Sequence, residues 1–186
     1  LSAELRPLLI DGEFARLVTS LSGLVDLNPN NKVLRPQLIT RLTHLTFDER
    51  DQERVRGMIG FGLGYKPSAW QHYANILASN EWPVQPEGKE FARKAIGISY
   101  MVGYHYQEGS VTSFSTSYQD YLYQKEFTGS DELRSSTLFY ATLKHEWAIT
   151  DASEFNAMYR YVEGASNIDF FDYQRNFMRI GYAYKF

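Results

Sequence analysis

Apolar and polar residues alternate along most of this chain with the period of two that is typical of β-strands. The pattern is clearest over residues 54–66, where the odd positions from Val55 to Tyr65 are apolar or glycine. The even positions hold arginine, methionine, lysine and three successive glycines, Gly60, Gly62 and Gly64. We therefore predict a strand with one apolar face. The glycines on its other face carry no side chains, so this face leaves room for an open interior or for a bulky group that fills it.

The same alternation predicts a chain of antiparallel strands separated by turns rich in Gly, Pro, Asn and Asp. The predicted strands are 13–27, 32–48, 54–66, 70–82, 91–106, 111–127, 133–149, 154–163 and a final strand after residue 171. Residues 1–12 are uncertain, because Pro7 allows either a short edge strand or a helical turn. An even strand count requires residues 1–10 to be the tenth strand. We predict one all-β domain over residues 1–186.

The last eight residues run Arg179-Ile180-Gly181-Tyr182-Ala183-Tyr184-Lys185-Phe186. This pattern resembles the C-terminal β-signal of Gram-negative outer-membrane β-barrel proteins, with Arg179, Gly181, Tyr184 and Phe186 in its four slots. The resemblance implies an antiparallel transmembrane β-barrel of about ten strands, or the C-terminal part of a larger barrel. It also implies recognition by the barrel-assembly machinery, contact with outer-membrane lipid and lipopolysaccharide, and other envelope proteins as possible partners.

The lengths of the connections and the positions of the aromatic residues agree with a barrel whose C-terminus lies in the periplasm. With the C-terminus in the periplasm, the connections on the periplasmic side are short and those on the outer side are mostly longer, as in outer-membrane barrels. Aromatic residues gather near the predicted periplasmic strand ends and form a predicted girdle at the membrane boundary: Tyr65, Tyr104, Tyr106, Trp147, Phe155 and Tyr182. A second, less regular girdle is predicted at the outer ends: Tyr118, Tyr121, Tyr123, Phe170 and Tyr173.

The amino-acid composition excludes several structural and functional classes. A mean hydropathy of −0.40 fits alternating strands, and no apolar run is long enough for a membrane helix. The net charge of −3 gives no basic field for nucleic acid, and the absence of cysteine excludes disulfides and thiolate metal sites. We predict no cofactor and no metal. The chain starts at Leu1 without a signal peptide, so we expect a mature or truncated form.

Arginines recur on the polar positions of the predicted strands. They are predicted to line the interior: Arg54, Arg56, Arg93, Arg134, Arg160 and Arg175. A basic lining would favour anions, as rings of charge do in pores. The alternative is that these arginines pair with carboxylates from loops or bind lipopolysaccharide phosphate at the rim.

Catalytic residues are sparse. His105 and Ser113 face each other across the predicted hairpin at 107–110, which is the minimum for a base beside a nucleophile. No carboxylate is placed to orient the histidine, so we interpret the pair as interior lining. The predicted function is non-enzymatic: a porin-like pore, a translocation channel for transport, or the membrane anchor of an envelope complex. Two alternatives stay open, an outer-membrane lipid-modifying enzyme and a soluble lipocalin-like ligand-binding barrel.

A weaker resemblance concerns the approach to the last strand, Asp172-Tyr173-Gln174-Arg175-Asn176. It is similar to the end of barrels that follow periplasmic helical repeats and export polysaccharide or surface lipoproteins. No such repeat is visible here, so this relationship would require a truncated chain.

Overall fold

The computed structural model describes residues 2–10, 13–47, 53–84, 92–107, 109–126, 132–150 and 152–184. Ten β-strands account for most of them: β1 (Ser2–Ile10), β2 (Glu13–Asp26), β3 (Leu34–Phe47), β4 (Arg54–Tyr65), β5 (Trp70–Pro83), β6 (Arg93–His105), β7 (Val111–Glu126), β8 (Leu133–Thr150), β9 (Ser153–Ser166) and β10 (Tyr173–Tyr184). A 3-10 turn, Asp169–Phe171, precedes β10. None of the described residues belongs to a helix long and apolar enough to cross a membrane.

The strands form one antiparallel sheet in which each strand pairs with its neighbours in the chain, from β1 to β10. Short connections favour this order, because two strands joined by a tight turn can pair only antiparallel. The all-β antiparallel prediction is therefore confirmed. The structure also resolves the ambiguity of residues 1–10, since β1 pairs along β2 in the register Leu5↔Thr19, with an irregularity between Leu8 and Leu9.

The predicted closure into a barrel is not found. No ladder joins β1 to β10 among the described residues, so the sheet is open and has two free edges. The outer strands match poorly: β1 has nine residues and β10 has twelve, and Pro7 in β1 has no N–H to donate. Both faces of β10 are exposed, as the 84% exposure of Met178 and the 45% exposure of Phe177 show.

The two faces of the sheet differ in exposure. Apolar side chains on one face, which we call the apolar face, lie open, and Ile59 and Ile98 are 57% and 58% exposed. On the opposite, polar face, Glu81 is 1% exposed. A flat sheet without a covering layer would expose both faces equally. The sheet therefore curls around its polar face and turns its apolar face outward.

Side chains of β5 fill the space beside the β4 glycines. A Cβ atom at Gly60 would overlap Leu77 and come within 2.6 Å of the Ile76 carbonyl oxygen. A Cβ atom at Gly62 would overlap the Tyr73 hydroxyl. The predicted room on this face of β4 is thus occupied by the neighbouring strand of the same sheet.

Side chains beside the turn hold the β2–β3 hairpin in place. Arg35 Nε donates a hydrogen bond of 2.7 Å to Asp26 Oδ2. Asn31 Oδ1 accepts hydrogen bonds from the main-chain N–H groups of Val33 and Leu34. These bonds fold the chain back and set the register of the two strands.

Candidate functional site

A continuous row of rings crosses the apolar face near the short-turn ends of the strands. Ring centroids are 4.9 Å apart for Trp70–Tyr104 and for Tyr104–Tyr106, and 5.2 Å apart for Trp147–Phe155. We call this row the aromatic belt; its members, from β4 to β9, are Tyr65, His72, Trp70, Tyr104, Tyr106, His145, Trp147 and Phe155. Tyr182 of β10 continues the row in the strand register, where it pairs with Phe155. The structure therefore brings the residues of the first predicted girdle into one row.

Two histidines complete the belt, and the sequence interpretation did not assign them to it. His72 lies between Tyr65 and Trp70, and its Nδ1 is 2.7 Å from the Tyr100 hydroxyl oxygen. His145 lies 4.2 Å from Trp147, measured between ring centroids, and its Nδ1 is 2.6 Å from Thr112 Oγ1. The available signal was parity, since each histidine is two positions from a belt tryptophan and therefore faces the same way.

The apolar face ends at a polar row near the longer connections. Lys94 of β6 and Asp120 of β7 are exposed on this face, and Ile96 pairs with Asp120. Along β6, Tyr104 in the belt and Lys94 are ten residues apart. At about 3.3 Å per residue the span is about 33 Å along the strand, which would project to about 25 Å at the tilt of about 40° that strands have in membrane barrels.

A compact charged cluster occupies the polar face at the same end of the sheet as Lys94 and Asp120. Glu81 of β5 is nearly inaccessible, and one of its carboxylate oxygens lies 3.2 Å from Arg54 Nη1. Arg56 Nη2 and Arg93 Nε contact the other oxygen, the latter at 3.4 Å. Antiparallel pairing of β4, β5 and β6 places these four side chains in one row. Glu81 was missed in the sequence because its strand has a weak alternation.

Aromatic residues extend this cluster to β7 and β8. The Arg93 guanidinium lies 4.0 Å from the centre of the Tyr121 ring, and its Nη1 donates a 3.3 Å hydrogen bond to the Tyr123 hydroxyl. Arg134 lies over the rings of Tyr123, at 4.4 Å, and Phe171, at 3.4 Å. Tyr121 and Tyr123 thus contact the arginines of the polar face, and neither joins Tyr118 in a girdle on the apolar face.

The remaining predicted interior arginines lie apart from this cluster. Arg160 Nε donates to Thr142 Oγ1 at 3.1 Å, and Arg175 lies 5.0 Å from the centre of the Tyr173 ring. Both side chains are exposed. The structure therefore groups Arg54, Arg56, Arg93 and Arg134 and leaves the other two separate.

Three residues of the predicted assembly signal lie on β10, an edge strand of the sheet that the described residues form. Arg179 and Gly181 pair with Met158 and Asn156 of β9, and Tyr184 pairs with Ser153. Phe186 lies outside the described residues. The signal residues that are described thus belong to the strand with an unpaired outer edge.

The candidate catalytic pair is not joined by a hydrogen bond. His105 pairs with Val111 in the ladder and Ser113 with Gly103. His105 Nε2 is 3.0 Å from Gln71 Oε1 of β5, so its ring is engaged with a different strand. Within the described part of the chain, no three His, Asp or Glu side chains are grouped so that they could hold a metal ion.

Comparison with protein-family models, with curated proteins and with solved structures found no significant match to this chain.

Proposed function

We propose that this chain forms a membrane-spanning β-sheet of the Gram-negative outer membrane, with its apolar face against lipid and its polar face toward an aqueous interior. The observation that supports this proposal most directly is the inverted distribution of side chains: large apolar residues are exposed, whereas charged residues such as Glu81 are sheltered. The role we propose is that of a pore, a translocation channel or a membrane anchor for an envelope complex.

The limits of the apolar face support this assignment. Aromatic rings of mixed polarity are enriched at membrane–water boundaries, where the aromatic belt would lie. The polar row with Lys94 and Asp120 would then lie at the opposite boundary. A soluble lipocalin-like barrel would instead shelter its apolar face around a ligand, which makes it the weaker proposal.

The three tryptophans, Trp70, Trp82 and Trp147, offer a direct test because all of them are exposed, by 41% to 50%. Trp70 is the first residue of β5 and Trp82 is the last but one, and both lie on its apolar face. In bilayers of lipids brominated at different depths, we expect single-tryptophan variants retaining Trp70 or Trp82 to be quenched most by shallow bromines. Because Trp70 and Trp82 are twelve positions apart on one strand, shallow quenching of both is the result expected of residues at opposite boundaries of one span.

A matched pair supplies the control. Ile98 and Ser99 are neighbours on β6 but lie on opposite faces. In a variant without other tryptophans, Ile98→Trp should be quenched by deep bromines. Ser99→Trp should resist lipid quenchers and respond to aqueous acrylamide. Equal quenching of both by acrylamide, with no effect of brominated lipid, would exclude the membrane proposal.

A further inference from the structure

The charged cluster on the polar face carries more positive charge than its carboxylate balances. Arg56 and Arg93 both contact Glu81, and no second carboxylate of the described residues lies within ion-pair distance of either. Arg54 also contacts Glu81, but it has a further interaction as well, so its charge is not compensated by Glu81 alone. Even without Arg54, two guanidinium groups share one carboxylate charge.

Arg134 adds a second excess cation beside the first. Its Nε donates to Ser136 Oγ at 3.2 Å, and its guanidinium lies over the Tyr123 and Phe171 rings. No carboxylate of the described residues is within ion-pair distance of it. Arg93 approaches the same Tyr123 ring, at 5.9 Å from its centre. Aromatic contacts therefore hold two like charges around one ring, where their repulsion costs free energy in a sheltered location.

A bound dianion would relieve this repulsion. Among the described side chains, Arg56, Arg93 and Arg134 carry three positive charges against the one negative charge of Glu81, a surplus of two. Guanidinium groups present planar pairs of N–H donors that match the oxygens of phosphate, and such charge-assisted hydrogen bonds are stronger than neutral ones. Tyr121 and Tyr123 already fix the Arg93 guanidinium, so less side-chain entropy is lost on binding.

We propose that Arg93 and Arg134, with Arg56 beside them, form a binding site for a phosphoryl group. The site lies on the polar face, opposite the surface assigned to lipid, and does not depend on the membrane proposal. The phosphoryl group can belong to a soluble phosphate ester or to a lipid headgroup. The experiment separates these two sources.

The test measures binding to the folded full chain in detergent by isothermal titration calorimetry, with inorganic phosphate and glucose 6-phosphate as soluble probes. We expect both probes to bind, and equimolar chloride to produce no comparable heat. Arg93→Gln and Arg134→Gln should each weaken phosphate binding at least tenfold. Arg134→Lys should weaken it less, because the charge remains although the paired donors are lost.

Arg160→Gln is the matched control, because Arg160 lies on the same face but bonds to Thr142 away from the cluster. Its affinity for phosphate should equal that of the unmodified chain. An equal loss in all three glutamine variants would reduce the effect to overall charge and overturn the site. Absence of binding by the folded, unmodified chain both to the soluble phosphate probes and to phosphatidic acid would also overturn it.

Vesicles containing phosphatidic acid identify the source of the phosphoryl group. Binding of the soluble probes, with unchanged affinity when phosphatidic acid is replaced by neutral lipid, assigns the site to a soluble ester. An affinity for phosphatidic acid that exceeds the affinity for neutral lipid and depends on Arg134, without binding of soluble probes, assigns the same chemistry to a headgroup. Tryptophan quenching by lipid is independent of these outcomes, so the two proposals can fail separately.

Discussion

Glu81 is the residue on which the polar face depends most. Its buried carboxylate is the common partner of Arg54, Arg56 and Arg93. Removal of one member of a buried charge group leaves the others desolvated and uncompensated, which costs several kcal/mol. We predict that Glu81→Gln lowers the free energy of unfolding by about 3 kcal/mol, measured by urea unfolding of the folded chain in detergent.

Glu146→Gln is the control at the same scale. Glu146 forms an ion pair of 2.7 Å with Lys144, and about a third of each side chain is exposed. Pairs of this kind contribute less than about 1 kcal/mol because water competes for the charges. A loss in Glu146→Gln as large as that in Glu81→Gln would contradict the central role of the buried carboxylate.

At the scale of elements, β4 and β5 must fit closely together along the glycine face. Gly60→Ala would place a methyl group against the Ile76 carbonyl and Leu77, whereas the nearest atom to a Cβ at Gly64 is 3.7 Å away. We predict that Gly60→Ala destabilises the chain by about 1 to 3 kcal/mol through overpacking. Urea unfolding should show Gly64→Ala to be neutral or stabilising by less than about 1 kcal/mol. Equal effects would contradict the close packing.

Strand positions were accessible from the sequence because alternation is a local property. Residues 54–66 were predicted for β4 and 70–82 for β5, within one residue of the structure. The contacts of Glu81 were not accessible, because they require the register of three strands. The alternation also could not show that Tyr73 and Leu77 fill the space over the β4 glycines, since these residues belong to the next strand.

At the scale of the whole molecule, the sequence could not establish closure, because an edge strand and a closing strand have the same alternation. The open edge of β10 also constrains the membrane proposal. Unpaired main-chain groups in hydrocarbon cost several kcal/mol each, so a lipid-embedded β10 requires a partner strand. That partner would be β1, a second copy or a strand outside this sequence.

Hydrogen exchange resolved at single residues tests this requirement. In an antiparallel edge strand, alternate N–H groups point toward the neighbour, here β9, and the others point away. Among the described residues no strand pairs with the outward amides of β10, so they should exchange rapidly. After reconstitution into bilayers, we predict slow exchange at both sets of β10 amides, while the amide of Asn30 in the turn at 28–31 continues to exchange rapidly, because the hydrogen-bonded amides of that turn are those of Asn28 and Asn31. If the outward set remained as fast as the Asn30 amide in bilayers, β10 would lie outside the hydrocarbon and the proposed membrane sheet would be wrong.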